Sequence, residues 1–359
     1  MSTFNIAHHR LHNQKLLQTA FTKPSQVVAW LGAVQAQDYS GAKWAVAQRT
    51  KGLTDAEMDE AFADGTILRT HLMRPTWHFV TPADIRWMLM LTAPRVHAVS
   101  TFMYRQLELN KAVITKSYKV LEQTLRGNNQ LTRAELGAAF EKSGIFAAGQ
   151  RLGYFMMSAE LDGVICSGAR KSRQFTYALL EERAPQVKVL TRDEALAKLV
   201  KRYFASRGPA TLHDFIIWSG LTMADAKHGI EMVKTEFMHE VIDGKTYWFS
   251  EYKAPAKAKH PIAYLLPNYD EYFIGFKDRS AIGEAAKQAG IKGDDPALIA
   301  HIVIINGQIV GGWKRTFKKN EAVVELNLFT NLTKAEHKAI TIAAQHYSEF
   351  LGIPVTLTH

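Results

Sequence analysis

Gln35 and Gln37, in the triplet Gln35-Ala36-Gln37, are the residues best placed to do chemistry in this chain. A carboxamide neither takes a proton from water nor gives one to a leaving group at neutral pH. What it can do is orient a water molecule and aim its carbonyl dipole at developing positive charge. The triplet ends the apolar stretch Val27-Val28-Ala29-Trp30-Leu31-Gly32-Ala33-Val34, which reads as a helix. Amides that merely cap the end of that helix are the competing account. Asp38 follows directly, either as an auxiliary carboxylate or as a surface residue at the helix end. Lys43 is near enough to raise Schiff-base chemistry, but a solvated lysine is the simpler reading.

About thirty residues later, Leu68 to Val80 reads as two strands about a turn at Met73-Arg74-Pro75. His71 and His78 lie on its opposite strands, as contacts to a phosphate or sugar or as structural histidines. Arg69 and Arg74 are candidates for phosphate contact, and Trp77 reads as core. His8, His9 and His12 have no acidic or cysteine partner nearby, so no metal site is expected. Asp270 and Glu271 are adjacent, and neighbours on a strand point to opposite faces, so a shared-proton pair is not expected. Asp270 reads instead as a partner for an arginine. Gly283, Gly290 and Gly293 lack the strand-to-helix setting of a nucleotide-binding fingerprint, so no cofactor is expected.

The composition bounds the rest. A chain of 359 residues, 47% hydrophobic and 22% charged, is a folded globular protein with room for two to four compact units. No run approaches the roughly 18 apolar residues needed to span a bilayer. Met1 to Arg10 lacks an apolar signal core, so no export is expected. The single Cys166 excludes an intramolecular disulfide and a cysteine-based zinc cluster, which fits a reducing cytoplasm. A formal net charge of +10 favours a polyanionic partner, nucleic acid before an anionic membrane.

The expected fold class is α+β. Helix and hairpin signals recur three times in one order, predicting three tandem winged-helix units over residues 1–100, 101–185 and 186–251. In the first, helices are expected over Gln14–Phe21, Ser25–Gln35 and Thr54–Ala63, with Ser25 as an N-cap and a further helix after Thr81-Pro82. In the second, Thr132-Arg133-Ala134-Glu135 has capping-box spacing, and two strands flank the basic turn Arg170-Lys171-Ser172-Arg173. In the third, Asp243-Gly244 marks a tight hairpin. Lys253 to Pro261 reads as a solvated linker. Beyond it, residues 252–359 form a small β-barrel-like domain, with strands over 263–266, 299–305, 309–313 and 322–328, a helix over Lys334–Leu351, and a last strand at Val355-Thr356-Leu357. Arg170, Lys171 and Arg173 make one basic cluster and Lys314, Arg315, Lys318 and Lys319 another, both read as contacts to DNA phosphates.

Gln35-Ala36-Gln37-Asp38, the hairpin Arg69 to His78, Leu266-Pro267-Asn268-Tyr269-Asp270-Glu271-Tyr272 and Gly311-Gly312-Trp313-Lys314-Arg315 together resemble the winged-helix DNA glycosylases of the AlkZ/YcaQ type. The resemblance implies a monofunctional enzyme that releases alkylated purines and unhooks interstrand crosslinks, with Gln35 and Gln37 holding the hydrolytic water. It also implies a double-stranded DNA partner and a cytoplasmic monomer working at the bacterial nucleoid, with no membrane partner. Amide chemistry suits N7-alkylguanine, which is already cationic and leaves as a neutral base without an acid. A non-catalytic winged-helix regulator is the alternative, but no zipper heptads or effector domain favour it.

Overall fold

The computed structural model describes residues 4–184, 186, 189–251, 260–291 and 301–358. It opens with α1 (Ile6–Asn13), α2 (Pro24–Leu31), β1 (Val34–Gln35), α3 (Tyr39–Ala47), α4 (Asp55–Ala63), β2 (Leu68–Leu72), β3 (Arg74–Val80) and α5 (Pro82–Gln106). Strand β1 pairs with β3 and β3 with β2, in the order β1-β3-β2. There follow α6 (Lys111–Leu125), β4 (Leu131–Thr132), α7 (Arg133–Lys142), α8 (Gly149–Leu161), β5 (Ile165–Ser167), β6 (Thr176–Leu179) and the one-turn α9 (Leu180–Arg183). Their sheet has the order β4-β6-β5. Then come α10 (Arg192–Arg207), α11 (Leu212–Ser219), α12 (Met223–Val233), β7 (Met238–Ile242) and β8 (Lys245–Phe249), with Ala210 bridging Trp248 of β8.

These three runs share one connectivity. A helix leads to a very short extended segment, then two helices, then a hairpin whose second strand takes the short segment as its neighbour. The pairs are Gln35 with His78, Leu131 with Tyr177, and Ala210 with Trp248. The helix starts follow from side chains that satisfy the first free amides. Thr54, Thr132, Thr191, Thr211 and Thr222 each form a capping box. Asp243 (φ 49°) and Gly244 (φ 73°) turn the third hairpin in the left-handed region, as the Asp-Gly pair predicts.

The remaining chain forms a mixed five-stranded sheet, β9 (Ala263–Leu266), β10 (Ile302–Ile305), β11 (Gln308–Phe317), β12 (Ala322–Leu328) and β13 (Val355–Thr358), in the order β13-β12-β11-β10-β9. It does not close: β9 and β13 are its edges, so the expected barrel is a half-barrel. The C-terminal helix Lys334–Leu351, at the bounds expected, lays Ile340, Ala343, Tyr347 and Phe350 on one face of this sheet. Trp44 of α3 enters the same core, its ring 4.8 Å from that of Tyr347 and its Nε1 donating to Leu265 O at 2.7 Å. The C-terminal sheet and the first run therefore share one interior.

Several sequence expectations are corrected. No helix covers Gln14–Phe21: the helix lies earlier, and the chain leaves it at Lys15 (φ 62°). Ser25 does not cap α2, because Pro24 is the first helical residue and the Gln26 carboxamide accepts from the amides of Thr22 and Lys23, both at 3.1 Å. Helix α2 stops at Leu31, before the triplet, because Gly32 turns left-handed (φ 79°). Helix α3 has no counterpart among the expected elements. The expected linker lies outside the described residues as far as 259, and so do residues 299 and 300 of the strand expected there. Helix α5 runs unbroken through residue 100.

Candidate active site

Gln35 is not at a helix end. It is the last residue of β1, and Gln37 stands in the short link before α3, whose N-cap is Asp38. Extended backbone alternates its side chains, so Gln35 and its cross-strand partner His78 share one face of the sheet while Ala36 turns to the other. Gln35 is buried, at 8% exposure, and Gln37 is exposed, so the pair runs from the edge of the core out to solvent.

Four arginines hold the segment from Gln35 to Tyr39. Arg74 Nη2 donates to Gln35 Oε1 at 2.8 Å while its Nη1 donates to Ile217 O at 3.0 Å. Since guanidinium is only ever a donor, this contact fixes which end of the Gln35 amide is oxygen. Arg69 Nε donates to Ala36 O at 3.1 Å, with its guanidinium between the rings of Trp77 and Phe175, each 4.4 Å away. Arg315 Nη2 lies 3.4 Å from Asp38 Oδ2, and Arg170 stands 5.0 Å over the Tyr39 ring. On the backbone side, Ala36 N donates to Trp77 O at 2.7 Å, and the Trp77 amide lies 3.5 Å from Gln37 Oε1.

Beneath this layer Glu271, fully buried, accepts from Gln35 N at 3.0 Å, Trp218 Nε1 at 2.9 Å, and Arg207 Nη2 and Nε at 2.6 and 3.2 Å. One carboxylate thus joins β1, α10, α11 and the segment after β9. Its neighbour Asp270 caps the one-turn helix Glu271–Ile274 and pairs with Arg49 through two hydrogen bonds of 2.9 Å, the arginine partnership expected of it. The two carboxylates serve different arginines and share no proton. His78 is fully buried: its Nδ1 bonds Thr76 O at 2.9 Å, and burial, then the Arg74 charge, push its pKa well below the ordinary imidazole range. His71 pairs with buried Glu160 of α8 and packs on Trp77, ring centroids 4.4 Å apart.

The structure thus gathers Gln35, Gln37, Asp38, His78, Arg69, Arg74, Arg170 and Arg315 around one short segment. Arg69, at 7% exposure, offers little surface to a phosphate. Lys171 is exposed, with Nζ 3.1 Å from Glu135, and Arg173 and Lys314 are exposed as well. Asp38 is not at the end of a helix but at the start of one, where its Oδ1 accepts from Gly41 N at 3.0 Å. Lys43 is not solvated either: it is buried, between Asp55 at 2.8 Å and Asp59 at 3.0 Å, which leaves its ammonium engaged. Among the described residues no group of metal-ligating side chains forms, and no helix is long and apolar enough to cross a membrane. Sequence reasoning missed Tyr39, Glu160 and His301, whose Nδ1 accepts from Asn268 N at 2.6 Å beside Arg315, and it named Glu271 without giving it a role. The Leu266–Tyr272 signature was the one signal pointing toward Glu271.

The fold is mixed α+β, and two carboxamides and four guanidiniums converge on one strand end. The chain is a member of the DNA glycosylase AlkZ-like family, whose model matches residues 28–350. It is therefore a hydrolase of N-glycosyl bonds with a DNA substrate. It is 24% identical over 357 residues to the interstrand DNA cross-link repair glycosylase of Streptomyces sahachiroi, spanning 96% of this chain and 95% of that protein. The solved structure of Streptomyces sahachiroi DNA glycosylase AlkZ shares its fold, with a TM-score of 0.79 at 22% identity over 99% of this chain and 98% of that one.

Proposed function

We propose that the protein hydrolyses the N-glycosidic bond of cationic N7-alkylpurines in duplex DNA, and that it unhooks interstrand crosslinks of the same chemistry. The observation that carries this reading is a pair of carboxamides, one buried and fixed by Arg74, one exposed, beside two acids, Asp38 and Glu271, that are already engaged. The C1′–N9 bond breaks with its electron pair going to the cationic purine, which departs neutral. Gln35 and Gln37 hold a water whose oxygen then bonds C1′, and its proton passes to solvent. The amide dipoles stabilise the oxocarbenium-like sugar in the transition state. The name of the Streptomyces sahachiroi relative supports the crosslink substrate.

Residues 1–100, 101–185 and 186–251 are read as three winged-helix units ahead of a C-terminal domain over 252–359, a reading supported by their common connectivity. Asp38 and His78 assist the glutamines. Arg69 and Arg74 brace the DNA-facing segment. Arg170, Lys171, Arg173, Lys314 and Arg315 supply charge to phosphates. The protein works as a monomer at the nucleoid.

The test is release of N7-methylguanine from duplex DNA, read as strand breaks after alkaline cleavage of abasic sites. Gln35→Ala and Gln37→Ala should each slow single-turnover release by about 10²–10³-fold with DNA affinity nearly intact, since positioning and electrostatic effects are worth that much. Gln37→Asp should be the mildest change, and uracil should stay in place. Alanine variants that cut at the wild-type rate would make the glutamines structural.

A further inference from the structure

Phe175 stands in the loop between β5 and β6, yet its half-buried ring packs into the first run of elements. It lies 5.2 Å from the ring of Tyr39, edge to face at 78°. Two guanidiniums stand over it, Arg69 at 4.4 Å and Arg170 at 5.2 Å from its centroid. Arg69 is also 4.4 Å from the Trp77 ring, and Arg170 is 5.0 Å from that of Tyr39. Rings and guanidiniums therefore alternate in one ladder, Trp77, Arg69, Phe175, Arg170 and Tyr39, with Phe175 at its middle.

The ladder grips the segment that carries the glutamines. Arg69 Nε donates to the carbonyl of Ala36, the residue between them, at 3.1 Å. Trp77 O accepts from Ala36 N at 2.7 Å, and Tyr39 lies two residues beyond Gln37. A second contact joins the same two regions, since Arg69 N donates to Ser167 Oγ of β5 at 2.8 Å. Arg69 is buried, and burial draws its pKa down to about 10, which leaves it charged at neutral pH. A guanidinium so removed from water is steadied by the ring faces on either side of it, a contact that strengthens with desolvation. Taking away one face loosens the guanidinium and the Ala36 carbonyl it holds.

We infer that Phe175 is a positioning residue for the Gln35–Gln37 segment: its ring holds Arg69 against Ala36 O and, with Arg170, holds Tyr39. The loop after β5 thereby sets the geometry of glutamines that belong to the first sheet. This inference rests on the proposed role of the glutamines and adds to it the group that steadies them from the second run of elements.

The test uses the full-length protein and two readouts. Phe175→Leu keeps apolar bulk without a ring face, and Phe175→Tyr keeps the face. Phe175→Leu should slow single-turnover release of N7-methylguanine by about 10-fold or more, toward the roughly 10²-fold that 1 Å of misplacement costs. Duplex DNA affinity and its salt slope should stay as they are, since no charge is removed, and Phe175→Tyr should recover most of the rate. In an Arg69→Met background, Phe175→Leu should cost far less than it does alone. A wild-type rate for Phe175→Leu, a tyrosine variant as slow as the leucine one, or a loss that adds in full to that of Arg69→Met would overturn the inference. The second readout needs no activity: the Arg69 Nε proton, shielded by the Phe175 face, should move downfield in Phe175→Leu. An unmoved resonance would refute the contact. A moved resonance in a protein whose Gln35→Ala and Gln37→Ala variants cut at the wild-type rate would refute the role of the glutamines and leave the contact standing.

Discussion

Replacing Glu271 with glutamine keeps the shape of the side chain and removes only its charge. In the native protein that charge faces Arg207, and both side chains are fully buried, with a closest approach of 2.6 Å. Breaking a buried pair by removing one partner costs about 3–5 kcal/mol, because the other charge is left unpaired in a medium that solvates it poorly. Arg207 still donates to Leu31 O at 2.7 Å and Ala33 O at 3.3 Å, which holds the expected cost to the lower end, about 3 kcal/mol. Whole domains are stable by only about 5–15 kcal/mol, so this variant should fold but melt early. Urea unfolding followed by circular dichroism would show it as a lower midpoint at unchanged slope. Arg207→Met should cost about as much, and Glu271→Met with Arg207→Met should cost well under the sum of the two, since neither charge is then stranded. Single-variant losses below about 1 kcal/mol, or a double variant equal to the sum, would refute the argument that this pair is electrostatically coupled.

Changing Arg170, Lys171 and Arg173 together to Ala should weaken duplex DNA binding and flatten the plot of log affinity against log salt by about 0.9 for each phosphate left without its cation; an unchanged slope would place that loop off the DNA. Gly220 sits at φ 72°, where an added Cβ would lie 2.4 Å from Met73 O, so Gly220→Ala should destabilise by more than the roughly 1–2 kcal/mol of left-handed strain, and a urea midpoint within error of wild type would refute this. His301 accepts from the Asn268 amide as the neutral ring, and burial, then the nearby Arg315 charge, hold its pKa near 4. The unfolded chain takes up a proton below its ordinary value of about 6.5 and the folded chain does not until about 4, so stability should be lost as pH falls across that window. His301→Gln should reduce the slope of unfolding free energy against pH between those values; an identical slope would show that His301 does not titrate this way.

What could be read from the chain, and what could not, divides along physical lines. Signals confined to a few neighbouring residues survived: the Thr132 capping box, the Asp243-Gly244 hairpin, and the C-terminal helix at its stated bounds. Helix α3 escaped because nearly every residue in it is buried, Trp44 and Val46 included, so no polar face marks a helical period. The apolar run before the triplet suits a helix or a buried strand equally, and only the left-handed turn at Gly32 divides it. Gln35 and Gln37 stood out as candidates for chemistry, but the place of Gln35 at the end of a strand did not show. Glu271, 236 positions from Gln35, could not have been paired with it from periodicity or spacing, and neither could the four arginines that hold the segment.

Helix α5 has a mechanical consequence. Twenty-five residues make a rod about 37 Å long, leading from the hairpin that carries His78 to the threshold of α6. The helix continues through Pro94, which lacks the amide that would have bonded Met90 O, and the missing hydrogen bond makes this its softest joint. The arm beyond Pro94 is twelve residues, about 18 Å, so a bend of about 10° at the joint would swing its tip by about 3 Å. Such a bend would make the distal arm a lever, turning a small flexure at Pro94 into a displacement of the order of a base-pair step at its far end.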